Sequence, residues 1–216
     1  MRQHTLWLLR FTYKKLKEKL TVSDSKKLFH EKFPYVIPGL YKTIVDEMLV
    51  ELNLLSNQSE FSQDYLFCVG FTEIFKELMK GYNPEEHLDL LFDSLCSSTN
   101  FESKKVKAIS YKSLEEFKNK SSKDIKNLLK DKSSNNLYPS RILNLGVYKT
   151  ISNSTDFEGT SESEKNEMIS DIFASINLPV TKAEKEIGIY KATITKMKQA
   201  KELLDELKIK DKKRNK

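Results

Sequence analysis

Glycine and proline are scarce in this chain, six and five among 216 residues, and β-branched residues almost never alternate with polar ones. A sheet needs turns and a period of two, so these shortages argue against one. Lys, Leu, Glu, Ser and Asn dominate instead, which favours helices. No apolar run approaches the roughly 18 residues of a membrane span. The two cysteines, Cys68 and Cys96, sit in apolar helical stretches without a partner at metal-ligand spacing. They read as small core residues in a reducing compartment. The opening stretch MRQHTLWLLRFTYKKLKEKL is basic and apolar, but it has no uninterrupted hydrophobic region, no small-residue cleavage site and no Ser. The expectation is therefore a soluble chain without a cleaved targeting peptide.

Catalytic patterns are missing as well. The histidines are His4, His30 and His87, and the residues three before the last two are Lys27 and Pro84, so no Glu-x-x-His di-iron motif exists. There is no glycine-rich phosphate loop, nucleophile elbow or Cys/His cluster. No enzymatic activity, cofactor or metal is expected.

What is present begins with charge. The net charge is +6, but residues 1–32 carry +6 and residues 208–216 carry +5, which leaves the body between them at −5. The basic end consists of Lys208, Lys210, Lys212, Lys213, Arg214 and Lys216 against Asp211. An acidic body with basic ends suits an anionic membrane surface or an acidic partner better than nucleic acid. The tail KIKDKKRNK also offers no aromatic ring on which a base could stack.

The elements follow in order. Ser23 or Asp24 caps a short helix through Phe29, which FPYVIPG interrupts. A long helix runs from Pro38 to about Leu55, and DYLFCVGFTEIFKELMK forms the next, stopped at Gly81. Asn83-Pro84-Glu85-Glu86 reads as cap, first-turn proline and dipole-matched acids. Residues 103–132 are Lys/Ser-rich and read as helical but poorly packed. Further helices are YPSRILNLGVYKTIS and residues 162–176. The last element runs from about Val180 with apolar positions Ile187, Tyr190, Ile194, Met197, Leu204 and Leu207, and Lys201 fills the skipped place. That is a short heptad seam. The fold class expected is all-α: a helical bundle over residues 21–178, then a long, partly coiled-coil-like C-terminal helix over 179–216. Residues 1–20 form a basic extension, ordered or disordered.

Within the 40–56 helix, a wheel at about 100° per residue places Leu40, Tyr41, Ile44, Met48, Leu52 and Leu55 on one apolar face. Glu47 and Glu51 fall inside that arc, and Asp46 and Asn53 fall on the polar side. Buried carboxylates cost several kcal/mol unless paired. The pair is expected to bond a helix N-terminus, a Tyr or a basic side chain from a neighbouring element. A glycosidase pair would need a cleft, which a helix packed on both sides does not offer.

Several stretches also resemble a known family. TVSDSKKLF followed by Pro34, IVDEMLVELNLLS, GYNPE and IGIYKATITKMKQAKELL stand in the order and spacing of the thylakoid formation protein family. The specific parts are Thr21-Val22-Ser23-Asp24, Val50-Glu51-Leu52 with Leu54-Leu55, and Gly81-Tyr82 with Pro84-Glu85. Leu145-Gly146-Val147-Tyr148 and Ile189-Tyr190 with Lys196-Met197 match more weakly. Residues 1–20 lie outside the pattern, and residues 103–135 match poorly. Asp24, Glu47, Glu51, Gly81, Tyr82 and Pro84 are the candidate structural motif that this resemblance marks.

The resemblance implies a non-enzymatic accessory factor in thylakoid biogenesis and photosystem II assembly or repair. Its implied partners are an FtsH-type membrane protease and photosystem proteins, and its implied place is cytoplasmic, peripheral to the thylakoid membrane. The alternatives are a basic-tailed nucleic-acid or ribosome-associated module and a pigment-binding bundle. The first needs aromatic interleaving in the tail, and the second needs a polar or His-bearing pocket.

Overall fold

The structure of the protein, a computed structural model, describes residues 19–132 and 137–214, with side chains through Leu207. Among the described residues the regular structure is helical: α1 (Val22–Lys32), α2 (Gly39–Ser56), α3 (Tyr65–Leu78), α4 (Leu88–Ser98), α5 (Ser103–Phe117), α6 (Ser122–Lys132), α7 (Arg141–Ser152), α8 (Glu162–Ser175) and α9 (Val180–Arg214). The fold is all-α. The basic stretch before Thr21 lies outside the described residues except for Lys19 and Leu20.

The helix starts are set by short-range chemistry, though not always where the sequence suggests. Thr21, not Ser23 or Asp24, caps α1. Its hydroxyl accepts from Asp24 N–H, while the Asp24 carboxylate accepts from Thr21 N–H, a closed capping box. Ser161 and Glu164 close the same box on α8. Asp64 and Ser140 cap α3 and α7 through Phe67 N–H and Leu143 N–H. After Asn83 the chain does not enter an α-helix. Pro84 is extended at ψ 139°, Glu85–His87 form a 3₁₀ turn, and α4 begins only at Leu88.

The centre of the bundle is α3, on which Leu66, Phe67, Cys68, Val69 and Phe71 are all buried. Its main neighbour is α7, and glycine on each helix sets the approach. A Cβ on Gly70 would stand 2.0 Å from Ile142 O, and one on Gly146 would stand 2.0 Å from Leu66 O. At that crossing the helices touch backbone to backbone. Helix α5 covers another side of α3, and α1 packs on α2 and α4.

Residues 103–132 are better packed than their composition suggests. The chain breaks near Asn119 (φ 58°), and the two polar helices each keep a narrow buried stripe: Val106 and Phe117 on α5, Ile125 and Leu129 on α6. Asn53 likewise departs from the polar side of the wheel and is buried. Its amide nitrogen donates to Leu20 O at 2.8 Å and Ser25 Oγ at 2.9 Å, tying α2 to the start of α1.

Helix α9 spans 35 residues, about 52 Å. Ala183, Ile187 and Tyr190 are buried against the bundle, with Ile194 and Met197 half-buried behind them. The apolar seam stops working as a docking stripe at that point. Leu203, Leu204 and Leu207 are 58, 44 and 47% exposed.

The glycine crossing makes a sharp prediction. Gly146→Ala must drive two helices apart and is expected to cost about 3 kcal/mol or more. Gly188→Ala, on an open face of α9 where a Cβ meets nothing within 4 Å, is expected to add about 0.5–1 kcal/mol. Urea midpoints check both, and equal shifts for the two variants would refute the crossing as a packing limit.

Candidate functional site

A set of partly buried charged groups, with buried Asn144 among them, lies where α9 meets α2, α3 and α7. Ser140 caps α7, and this places Arg141 at its first position, facing α2. Arg141 donates from Nε and Nη2 to Glu51 Oε2 at 2.9 and 2.5 Å. Glu47 stands apart, 4.0 Å away with its side chain 59% exposed, whereas the Glu51 side chain is 18% exposed. Only one of the two carboxylates is therefore enclosed. Burial lowers the Arg141 pKa, but the charge and hydrogen bonds of Glu51, then Glu47 and Glu186, outweigh it and raise the value above the ordinary one. Asp46 is partly exposed, 4.0 Å from Lys26.

One turn further along α7, buried Asn144 donates to Glu186 Oε2 of α9 at 2.7 Å. Met48, Glu51, Arg141, Leu145, Glu186 and Tyr190 border a cavity of about 50 Å³. Glu51 thus faces a cavity, contrary to the fully packed helix read from the sequence. Its size suits water and not a sugar ring.

A second cluster joins α3, α7 and α9. Tyr190 donates to Glu77 Oε2 at 2.5 Å, and Lys149 donates to the same oxygen. Lys149 Nζ also lies 5.1 Å from the centre of the Tyr190 ring, within reach of a cation–π contact. Burial raises the Glu77 carboxyl, but bonds from Lys149 and Tyr190 and the charges of Lys149 and Lys80 hold it below the ordinary 4.5. Burial, with Glu77 beside it, pushes the Tyr190 phenol up.

The Gly81-Tyr82 stretch supports the far end of the same helix. Gly81 adopts φ +84°, and a Cβ there would meet Lys201 Nζ at 2.2 Å and Cε at 2.7 Å. Lys201, the break in the apolar seam, therefore lies across a glycine made bare for it. Tyr82 is buried with its ring edge-on to Tyr41, centroids 5.2 Å apart. Pro84 precedes the 3₁₀ turn, and Asp24 serves the capping box of α1.

The sequence-marked residues thus fall into separate places. Glu47 and Glu51 lie at the α2–α7 contact, Gly81 beneath α9, Tyr82 against Tyr41 of α2, and Asp24 and Pro84 at helix starts. Of the C-terminal seam, Ile187, Tyr190, Ile194 and Met197 dock, while Leu204 and Leu207 do not. The side chains of Lys208, Lys210, Lys212, Lys213, Arg214 and Lys216 lie outside the described residues, although the helical backbone continues through Arg214.

Sequence reasoning missed Arg141, Asn144, Glu77 and Lys149. One signal was available: Arg141 is the only arginine between Arg10 and Arg214 in a lysine-rich chain. A planar fork that grips a carboxylate is what lysine cannot supply.

The chemistry on offer is that of helix locking. Burial pushes the Cys68 and Cys96 thiols up to about 11 and about 12, so both are protonated at neutral pH. No three His, Cys, Asp or Glu converge on a metal position among the described residues.

Known proteins resemble the chain along most of its length. The sequence model of the family described as "Thylakoid formation protein" matches residues 21–216, beginning at the threonine that caps α1. "Protein Thf1" of Prochlorococcus marinus strain MIT 9312 is 69% identical over 199 residues, 92% of this chain and 99% of that protein. "Protein Thf1" of strain NATL1A is 38% identical over 187 residues, 85% and 94% of the two chains. A solved structure of Psb29 superposes with a TM-score of 0.78 at 25% identity, covering 91% of this chain and 98% of that one.

Two expectations follow from the polar clusters. Glu51→Ala strands Arg141 in a half-buried site and is expected to cost about 1–3 kcal/mol, read as a denaturant midpoint. No change in midpoint would mean that water serves Arg141 equally well. Glu77 has a folded pKa below its unfolded value, so its contribution is full above pH 4.5 and fades as pH falls through the folded value. The stability difference between wild type and Glu77→Gln should therefore shrink on acidification, and a difference that is flat through this range counts against the lock.

Proposed function

The chain belongs to the thylakoid formation protein family, and from that premise we propose that it is a non-enzymatic accessory factor in thylakoid biogenesis and photosystem II assembly or repair. In this reading it works beside an FtsH-type membrane protease, on the cytoplasmic face of the thylakoid membrane. The observation that carries the reading is the extent of the family match, which runs from the cap of α1 to the end of the chain. The bundle and its basic tail are thus matched as one unit.

The physical chemistry supports an adaptor. Among the described residues no helix is long and apolar enough to cross a membrane. The ion pairs at Glu51 and Glu77 are committed to holding helices together. Beyond Met197, α9 leaves three leucines exposed and carries the +5 of residues 208–216. Each basic residue near an anionic leaflet contributes about 1 kcal/mol, less as salt screens it.

Affinity capture tests the assignment. The full-length tagged chain, recovered from detergent-solubilised thylakoids, is expected to bring down FtsH-type protease subunits and photosystem II proteins. Recovery of ribosomal proteins in their place would overturn it. Removing residues 206–216 should leave the melting temperature nearly unchanged and weaken binding to anionic vesicles, most at low salt. Binding that is equal at every ionic strength would remove the tail from the mechanism.

A further inference from the structure

A shallow groove of about 660 Å³ runs between α2 and α9, lined by Thr43, Asp46, Glu47, Val50, Leu54 and Ile189. Its floor is the Glu51–Arg141 pair, whose charges offset one another. Two large apolar side chains stand open in it, Leu54 at 53% and Ile189 at 51% exposure. The rim carries two partly exposed, loosely paired carboxylates: Glu47, 4.0 Å from an Arg141 already bonded to Glu51, and Asp46, 4.0 Å from Lys26. An apolar strip with carboxylates along it repels an anionic leaflet and fits a basic amphipathic helix.

The chain carries such a helix at its other end. Leu203, Leu204 and Leu207 are exposed on α9, and residues 208–216 add +5. A protomer cannot fold this segment back into its own groove. Ile189 and Leu207 belong to one unbroken helix, and the 18 residues separating them put about 27 Å between the two. The tail that fills the groove must come from another molecule.

We propose that two copies of this chain associate by exchanging tails, the basic end of each α9 lying in the α2–α9 groove of its partner. Leucines of the tail cover Leu54 and Ile189, and the tail's lysines meet Asp46 and Glu47. Because each copy offers one groove and one tail, a twofold arrangement satisfies both at once and closes. The inference does not rest on the proposed function, since it concerns the purified chain alone.

Analytical ultracentrifugation of the full chain, without membranes, is the test. The wild type is expected to form a dimer at low salt that dissociates near roughly 0.5 M NaCl, where the Debye length is about 4 Å. Leu54→Lys and deletion of residues 206–216 should each give a monomer that melts like the wild type dissociated by salt, because Leu54 in the groove and Leu207 on the tail are exposed. An equimolar mixture of the two variants should recover a heterodimer, since one keeps its tail and the other its groove. That heterodimer should be weaker than the wild-type dimer by about tenfold or more, having one contact in place of two. A wild type that stays monomeric, a dimer that survives either change, or a mixture that fails to associate overturns the proposal. A monomer that instead binds a basic amphipathic peptide assigns the groove to another protein and overturns it equally.

Discussion

The contact of Gly70 with Gly146 is the constraint from which the rest of the arrangement follows. Two helices that touch along their backbones cannot slide or rotate freely, because any side chain larger than hydrogen at either glycine enters a carbonyl of the other helix. The crossing therefore fixes the register of α7 on α3. Arg141 lies just over a turn to one side of Gly146, and Lys149 lies just under a turn to the other. A shift of one turn, about 5.4 Å, would carry Arg141 out of reach of Glu51 and Lys149 out of reach of Glu77. The polar locks are thus placed by an apolar packing limit. They in turn select the seat of α9, whose Glu186 and Tyr190 bind Asn144 and Glu77.

Polar locks of this kind add more to specificity than to stability. Desolvating a carboxylate and a cation offsets most of their attraction, and removing one partner costs more than the pair gains. In α9 the apolar contribution is small, chiefly Ala183, Ile187 and Tyr190, with Ile194 and Met197 half-buried. A helix held mainly by apolar burial could dock in several rotations. One held by Asn144, Glu77 and the bare surface of Gly81 under Lys201 has a single fit. The cost is that little remains to hold the second half of the helix down. The leucines after Met197 accordingly stay exposed, and the C-terminal part of α9 is the part available to something else.

The division between what the sequence revealed and what it hid follows interaction range. Helix existence was legible throughout, and so were the fold class and the long last helix, because periodicity and capping are local. Thr21 escaped as a cap because Ser23 and Asp24 are equally good capping types within three residues, and only the reciprocal bond to Asp24 distinguishes them. Glu47 and Glu51 share one arc of the wheel. Arg141, 90 residues away from Glu51, decides that one is enclosed and the other is not. Asn53 is a polar residue by type, and its burial depends on carbonyls at Leu20 and Thr21 that no local pattern announces. Residues 103–132 looked loose because lysine dominates the average, yet two buried apolar residues per helix, with small serines between them on α5, suffice to make a stripe. The glycines of the crossing were the least visible. Within a helical pattern a glycine reads as a small loss of propensity, and its use appears only when another backbone lies against it.

The distribution of charge gives these separate features a common consequence. The chain sets a net negative body between net positive ends, so a basic tail faces a choice between carboxylates on protein and anionic groups elsewhere. A tail lying in the groove of a second copy is withheld from a leaflet, and a tail on a leaflet leaves a groove empty. The two associations therefore exclude each other for a given tail: occupancy of either lowers the apparent affinity of the other, by the same factor in both directions. Salt weakens both, since both are largely electrostatic, but a groove with Leu54 and Ile189 in it retains an apolar component that a flat anionic surface does not present to the same lysines. Raising ionic strength should therefore move the balance toward the protein–protein contact before dissolving it. The Glu51–Arg141 pair beneath the groove keeps its floor in place while the occupant changes.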